Sequence, residues 1–142
     1  MAGVVRVMRT LPTDLPEWDR HQRQLHFKGE FVARLLGCAT TPEAPARYWA
    51  SGGIVVLQLP ALSGTSTGAL AFISGLPGAI TPVRDFFNYV PITDNGATAL
   101  GLVHVSSDTG ITLGVGITGS LGGFTGSGTK GIGSCVVTYA LD

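Results

Sequence analysis

The fold class is decided by residues 99–117, which read Ala99-Leu-Gly-Leu-Val-His-Val-Ser-Ser-Asp-Thr-Gly-Ile-Thr-Leu-Gly-Val-Gly-Ile117. The pattern predicts two β-strands, Ala99–Val105 and Ile111–Ile117, joined by a turn of Ser, Asp, Thr and Gly. In the second strand the apolar residues occupy every other position, and Thr and Gly lie between them. This alternation is typical of a strand with one buried face.

Similar short apolar segments continue on both sides of this hairpin. Further strands are predicted at residues 31–36, 54–59, 69–73, 83–91 and 135–141. Two stretches rich in glycine and small polar residues, 64–68 and 118–131, are predicted to be loops, and Asp94-Asn-Gly is a strong turn signal. No helical period follows Leu25, so we predict an all-β fold, a β-sandwich or jelly roll of about 7–8 strands.

The N-terminal part of the chain has a different composition. Residues 1–47 hold 12 of the 18 charged side chains, whereas residues 48–142 hold 18 of the 21 glycines. Charged, glycine-poor sequence before a glycine-rich β region indicates an appendage followed by a domain. We therefore expect an attachment arm with a short helix at 1–28 and a β-sandwich domain at 29–142.

The predicted arm carries two candidate docking elements. Its valines at positions 4, 5 and 7 could form a short strand that needs another chain as its partner. Asp14 and Glu17 fit a helix-capping box, which predicts a helix from Leu15 to Leu25. Such a short helix is marginal alone and needs a surface to pack on. The predicted docking residues are Val4, Val5, Val7, Leu15, Trp18 and Leu25.

The overall composition argues for an assembled protein. Only 13% of the 142 residues are charged, against about 25% in typical soluble domains. A surface so poor in charge favours coverage by identical subunits or by a larger assembly. The net charge is zero, which does not favour a nucleic-acid partner, and the apolar runs are too short for insertion into a membrane.

No residue pattern predicts an enzyme, a cofactor or a metal site. Gly126-Ser-Gly-Thr-Lys-Gly matches a dinucleotide fingerprint, but a strand and not a helix is expected after it, which favours a hairpin loop. A triad of His104, Asp108 and a serine would lack a nucleophile elbow. Cys38 and Cys135 are expected to be isolated buried thiols, with a single disulfide bridge as the alternative.

Aromatic residues on the predicted strands divide between two faces. Alternation places Phe87 and Tyr89 on one face and Phe86 on the other, and it separates Tyr48 from Trp49 in the same way. At least one ring is therefore expected at an interface. Burial in the sandwich or between subunits and contact with a carbohydrate or protein remain the alternatives.

Several stretches resemble a known family. They are Leu57-Gln-Leu-Pro-Ala-Leu-Ser-Gly-Thr-Ser, Ile73-Ser-Gly-Leu-Pro-Gly-Ala-Ile-Thr-Pro, Val90-Pro-Ile-Thr-Asp-Asn-Gly and Phe124-Thr-Gly-Ser-Gly-Thr-Lys-Gly-Ile. Together they resemble the C-terminal β domains of tail fibres and related small virion proteins of tailed bacteriophages, over about residues 31–142. The resemblance implies a trimeric β-sandwich without catalytic residues, and residues 9–20 look like a short virion-attachment segment.

These observations lead to two functional hypotheses. The first is a short tail fibre, assembled into the virion in the host cytoplasm. Its arm would dock to a virion protein such as a tail adaptor or nozzle, and its homotrimeric β domain would bind a host-surface polysaccharide or outer-membrane component. Candidate ligand-facing loop residues are Asp94, Asn95, Thr109 and Ser120. The alternative is a capsid decoration (cement) protein that stabilises the head through its arm.

Overall fold

A computed structural model describes residues 26–116 and 121–142 of the 142-residue chain. The helix expected at 15–25 lies outside the described residues. So do the predicted docking residues and one predicted loop residue: Val4, Val5, Val7, Leu15, Trp18, Leu25 and Ser120.

The described residues form ten β-strands and one 3-10 turn, Gly78–Ile80. The strands are β1 (His26–Leu36), β2 (Glu43–Ser51), β3 (Ile54–Leu59), β4 (Leu62–Thr65), β5 (Phe72–Ser74), β6 (Phe86–Asp94), β7 (Ala97–Ser106), β8 (Gly110–Val115), β9 (Thr129–Ile132) and β10 (Cys135–Ala140). They form one antiparallel sheet in the order β10-β3-β2-β1-β5-β8-β7-β6-β9-β4. The all-β prediction is confirmed.

The strand count and arrangement differ from the prediction of a sandwich or jelly roll with 7–8 strands. The sheet is a single curled one of ten strands, and β4 and β9 lie partly in the stretches predicted as loops, 64–68 and 118–131. These two strands pair with each other across more than sixty residues of sequence. Their glycine and small polar residues are typical of turns, so the local sequence predicts loops here. The strands form because the two segments pair with each other over a long distance in the sequence. In addition, β1 begins at His26, within the stretch assigned to the arm.

The sheet curls until both of its edges are covered by other parts of the chain. At the β10 edge the Asn88 amide donates to the Thr138 carbonyl at 3.3 Å and accepts from the Thr138 N–H at 3.5 Å. At the β4 edge the Thr65 carbonyl accepts from the Ala39 N–H at 2.9 Å. Covered edges do not present open backbone groups to other strands.

The hydrophobic core fills the space inside the curl. It is built from inward-facing residues of both halves of the sheet, including Leu35, Leu57, Val90, Val103 and Val137. Phe86 of β6 lies 6.1 Å from Tyr139 of β10, measured between ring centroids. Because the inner faces meet in this way, the two outer faces point in opposite directions.

One cation, Lys130, lies inside the protein with no exposed surface. Its Nζ donates to the carbonyl oxygens of Gly68 at 2.9 Å and Leu70 at 2.7 Å, and it lies 5.4 Å from the centre of the Phe124 ring. Removal from water lowers the pKa of Lys130, and the nearby groups of Cys38 and Asp94 oppose that shift. Lys130 belongs to strand β9, so the glycine motif that contains it is not followed by a helix.

Candidate functional site

The first candidate surface lies on the outer face of β6, β7 and β8. Phe87 is paired with His104 across β6 and β7, and His104 is paired with Thr112 across β7 and β8. Phe86 packs against the core, whereas Phe87 and Tyr89 are 49% and 63% exposed. The predicted alternation of these aromatic residues is confirmed.

His104 is held in a fixed position by its neighbours on this face. Val103 and Val105 are buried in the core, so the strand turns the imidazole between them outward. The imidazole stacks on the Phe87 ring at 4.6 Å between centroids, with 7° between the ring planes. Its Nε2 lies 3.4 Å from Oδ1 of Asp85, whose side chain is 64% exposed.

The Nε2 atom of His104 is buried and has no hydrogen-bond partner among the described residues. Buried polar atoms normally have a partner, and an unpaired one costs about 1–3 kcal/mol. We call Asp85, Phe87, Tyr89, His104 and Thr112 the Phe87 surface. It combines two exposed aromatic rings with an exposed carboxylate, which together can bind a small molecule that has apolar and hydroxyl groups.

The second candidate surface lies on the outer face of β1, β2, β3 and β10. Trp49 is paired with Val56 across β2 and β3, and Val56 is paired with Thr138 across β3 and β10. Exposed apolar side chains surround this row, each between 37% and 57% exposed. We call the five apolar residues Val32, Trp49, Ile54, Val56 and Val136 the Trp49 surface. An apolar patch of this kind marks an interaction site.

Charged residues near the Trp49 surface form ion pairs within the chain. Nε of Arg47 lies 3.3 Å from Oε2 of Glu30, and Nε of Arg34 lies 3.0 Å from Oε1 of Glu43. Two shallow grooves of about 380 Å³ each flank Trp49, and Lys28 lines both. If another protein covered this face, the two arginines and the two glutamates of these ion pairs would each keep a partner within the chain.

The β6–β7 loop candidates have structural contacts of their own. Both carboxylate oxygens of Asp94 accept hydrogen bonds from Thr125, one from the backbone N–H at 2.8 Å and one from the hydroxyl at 3.0 Å. Asn95 has a φ of 49° and Gly96 a φ of 79°, as a tight hairpin turn requires. This turn packs against the start of β9, because the Gly96 N–H donates to the Thr129 carbonyl at 3.0 Å.

Thr109 lies at the other end of β7. The ten residues of that strand separate it from Asp94 and Asn95 by roughly 30 Å, so the structure does not bring these predicted loop residues together. The Thr109 hydroxyl is bonded to Ser106 at 2.9 Å and accepts from Thr112 at 3.3 Å. It is Thr109, therefore, that adjoins the Phe87 surface.

The remaining described residues, 26–116 and 121–142, offer few other groups suited to a site. Among them, no group of three or more His, Cys, Asp or Glu side chains is placed to hold a metal ion. No helix there is long and apolar enough to cross a membrane. Cys38 and Cys135 are free, partly buried thiols, and burial raises the pKa of Cys135 to about 11.

The pairing of Asp85 with His104 is the feature that sequence reasoning missed. The two residues are 19 positions apart, and their contact depends on the register between β6 and β7. Alternation alone places Phe87 on one face of its strand. It does not show which residue of the next strand lies beside it.

No family model matches the chain, and no curated protein matches it. A solved structure with a similar fold is the reovirus attachment protein sigma1 in complex with alpha-2,3-sialyllactose. The match has a TM-score of 0.50 and 18% sequence identity, and it covers 97% of this chain and 82% of that chain. The curled β body is thus a fold also found in a viral attachment protein.

Proposed function

We propose that this protein is a virion structural protein, a short tail fibre whose β domain attaches the particle to its host. Two findings support the proposal. The fold is similar to that of a viral attachment protein, and residues 31–142 resemble the β domains of bacteriophage tail fibres. The arm at 1–28 would dock to another virion protein such as a tail adaptor or nozzle.

The observation that carries the proposal is the Phe87 surface. Phe87 and Tyr89 present exposed rings next to the exposed carboxylate of Asp85. Aromatic rings with polar groups beside them suit a ligand that has both apolar and polar faces. A sugar is such a ligand, and the structural neighbour was solved with one bound. We therefore assign host-glycan binding, with no catalytic step, to this surface.

Self-association is assigned to the Trp49 surface. Trp49, Val56 and Val136 are exposed on the outer face of four strands, and a second copy of the chain would remove them from water. A homotrimer would present three Phe87 surfaces. Several weak sites on one particle bind a dense glycan layer much more tightly than one site does.

A competition experiment tests the proposal. Purified full-length protein should block adsorption of particles that carry it to their host cells, and the Phe87→Ala/Tyr89→Ala variant should not block it. Leu100→Ala is the matched control, because Leu100 is 51% exposed on β7 but lies outside the Phe87 surface. Equal competition by all three proteins would contradict the assignment. Fractionation of disrupted particles with the capsid, and not with the tail, would favour a decoration protein.

A further inference from the structure

We infer that the Phe87 surface binds an uncharged sugar unit and not an acidic one. This inference rests on the proposed host-binding function and specifies the class of ligand. It is carried by the exposed Asp85 carboxylate beside the two rings, and by the scarcity of cations on the half of the sheet that holds the Phe87 surface.

A sugar hydroxyl can hydrogen-bond the exposed carboxylate of the site. Nε2 of His104 and Oδ1 of Asp85 are 3.4 Å apart, and Nε2 has no hydrogen-bond partner among the described residues. Because Nε2 is buried, the hydroxyl bonds the carboxylate: it has one donor, which it gives to Asp85. A bond to an ionised oxygen is about twice as strong as a neutral one.

The two exposed rings provide the apolar part of the site. Phe87 and Tyr89 are two positions apart on one strand face, so their side chains are separated by roughly 7 Å along the strand. One face of the Phe87 ring is stacked on His104, which fixes its orientation. A sugar ring that places its C–H groups on these rings brings a hydroxyl towards Asp85 and His104.

Charge decides against an acidic sugar. Residues 48–142 contain two cations, Arg84 and Lys130, and Lys130 is fully buried with its ammonium bonded to two carbonyls. Arg84 is thus the single exposed Lys or Arg among the described residues of this region. A sugar carboxylate at the site would lie next to the Asp85 carboxylate, and a like-charge contact of this kind weakens binding by roughly tenfold.

The first test uses a panel of immobilised neutral oligosaccharides and their sialylated or uronic-acid counterparts. The full-length protein should bind neutral members and should bind their acidic counterparts at least tenfold more weakly. Phe87→Ala/Tyr89→Ala should lose that binding, and Leu100→Ala should retain it. Preference for acidic members through Phe87 would overturn the inference and leave host-glycan binding intact. Binding to no member would overturn both.

The second test relies on the sign of a charge effect. Asp85→Asn removes the negative charge with little change in size. With an uncharged sugar it should weaken binding about three- to tenfold, because a charge-assisted hydrogen bond becomes a neutral one. Arg84→Gln should then leave binding unchanged within twofold. Tighter binding by Asp85→Asn together with loss by Arg84→Gln would show an acidic ligand and overturn the inference.

Discussion

The two outer faces of this β body differ in how their polar groups are satisfied. Beside the Trp49 surface two arginines are joined to carboxylates within the chain, as Arg47 is to Glu30 at 3.3 Å, and Lys28 lines the grooves next to Trp49. On the Phe87 surface His104 has an unused nitrogen, and Asp85 beside it is largely exposed. The first face offers exposed apolar side chains on four strands, which suits coverage by another protein surface. The second face gains most from a small ligand that brings hydroxyl groups.

This difference shows how one β sheet can hold two kinds of interface. Both faces expose large apolar side chains, so hydrophobicity alone does not separate them. The polar neighbours of those side chains separate them, because a buried polar group without a partner is costly. The predictions below test whether the two faces act independently.

The largest effect is expected from a change that should disable both faces together. Lys130→Met leaves the carbonyls of Gly68 and Leu70 without their donor inside the protein. We expect the free energy of unfolding to fall by about 3 kcal/mol, measured by denaturant titration. Lys28→Met, the same change at an exposed position, should stay within about 0.5 kcal/mol of wild type. An equally small effect at both positions would contradict the structural role of Lys130.

The next largest effect is expected from a change that removes self-association and leaves the Phe87 surface intact. Val56→Glu places a charge at the centre of the Trp49 surface, where a covering copy would have to bury it. We expect self-association to weaken at least about 100-fold, measured by sedimentation equilibrium. Val83→Glu is the matched control, because Val83 is 67% exposed outside the Trp49 surface. An assembly that survives Val56→Glu but dissociates with Val83→Glu would place the interface elsewhere.

A smaller effect should divide binding from stability on the Phe87 surface. His104→Phe keeps a ring that can stack on Phe87 and removes the unmet nitrogen. We expect the free energy of unfolding to rise by up to ~1 kcal/mol, because a buried unpaired atom is lost, and glycan binding to stay within about twofold, because that atom is out of reach of a ligand. Binding is read by titration calorimetry and stability by denaturant. His26→Phe, made on the opposite face, should leave glycan binding unchanged; loss of glycan binding by His104→Phe alone would show that Nε2 reaches the ligand and would contradict this expectation.

The smallest effect concerns alkaline pH and involves neither face directly. Burial raises the pKa of Cys135 from 9.0 to about 11, so the folded protein keeps a proton that the unfolded chain releases. This contribution to stability is complete below pH 9 and is lost as the pH rises towards 11. Between pH 9 and 11 the free energy of unfolding should decrease less in Cys135→Val and Cys135→Ser than in wild type. The decrease should be equal in the two variants, because they share only the absence of the thiol. Burial lowers the pKa of Lys130, which changes the stability in the opposite direction as the pH rises. The contribution of Cys135 is therefore obtained by comparing the stability of wild type with that of its variants.

Local patterns in the sequence predicted the orientation of side chains well. The separation of Phe87 and Tyr89 from Phe86 followed from the two-residue period of a strand, which is a property of the backbone itself, and the structure shows that Phe87 and Tyr89 face outward. The turn at Asn95-Gly was likewise predictable, because glycine and asparagine tolerate positive φ.

Features formed between distant parts of the chain were not predictable in this way. In β9, a Cβ on Gly131 would lie only 2.2 Å from the carbonyl oxygen of Leu62 in β4, so glycine is required for their close pairing. From the sequence the same glycine looks like part of a loop. The burial of Lys130 depends on carbonyls more than fifty residues away, and the Asp85–His104 contact depends on register.

The most direct test of the account follows the aromatic ring resonances of the full-length protein, labelled with ¹³C in its Phe, Tyr and Trp side chains. Addition of a neutral oligosaccharide that the protein binds should shift the signals of Phe87 and Tyr89 and leave that of Trp49 in place. Dilution through the self-association range should shift the Trp49 signal and leave those of Phe87 and Tyr89 unchanged. Sugar-induced shifts centred on Trp49, or Phe87 shifts on dilution, would contradict the assignment of separate roles to the two faces.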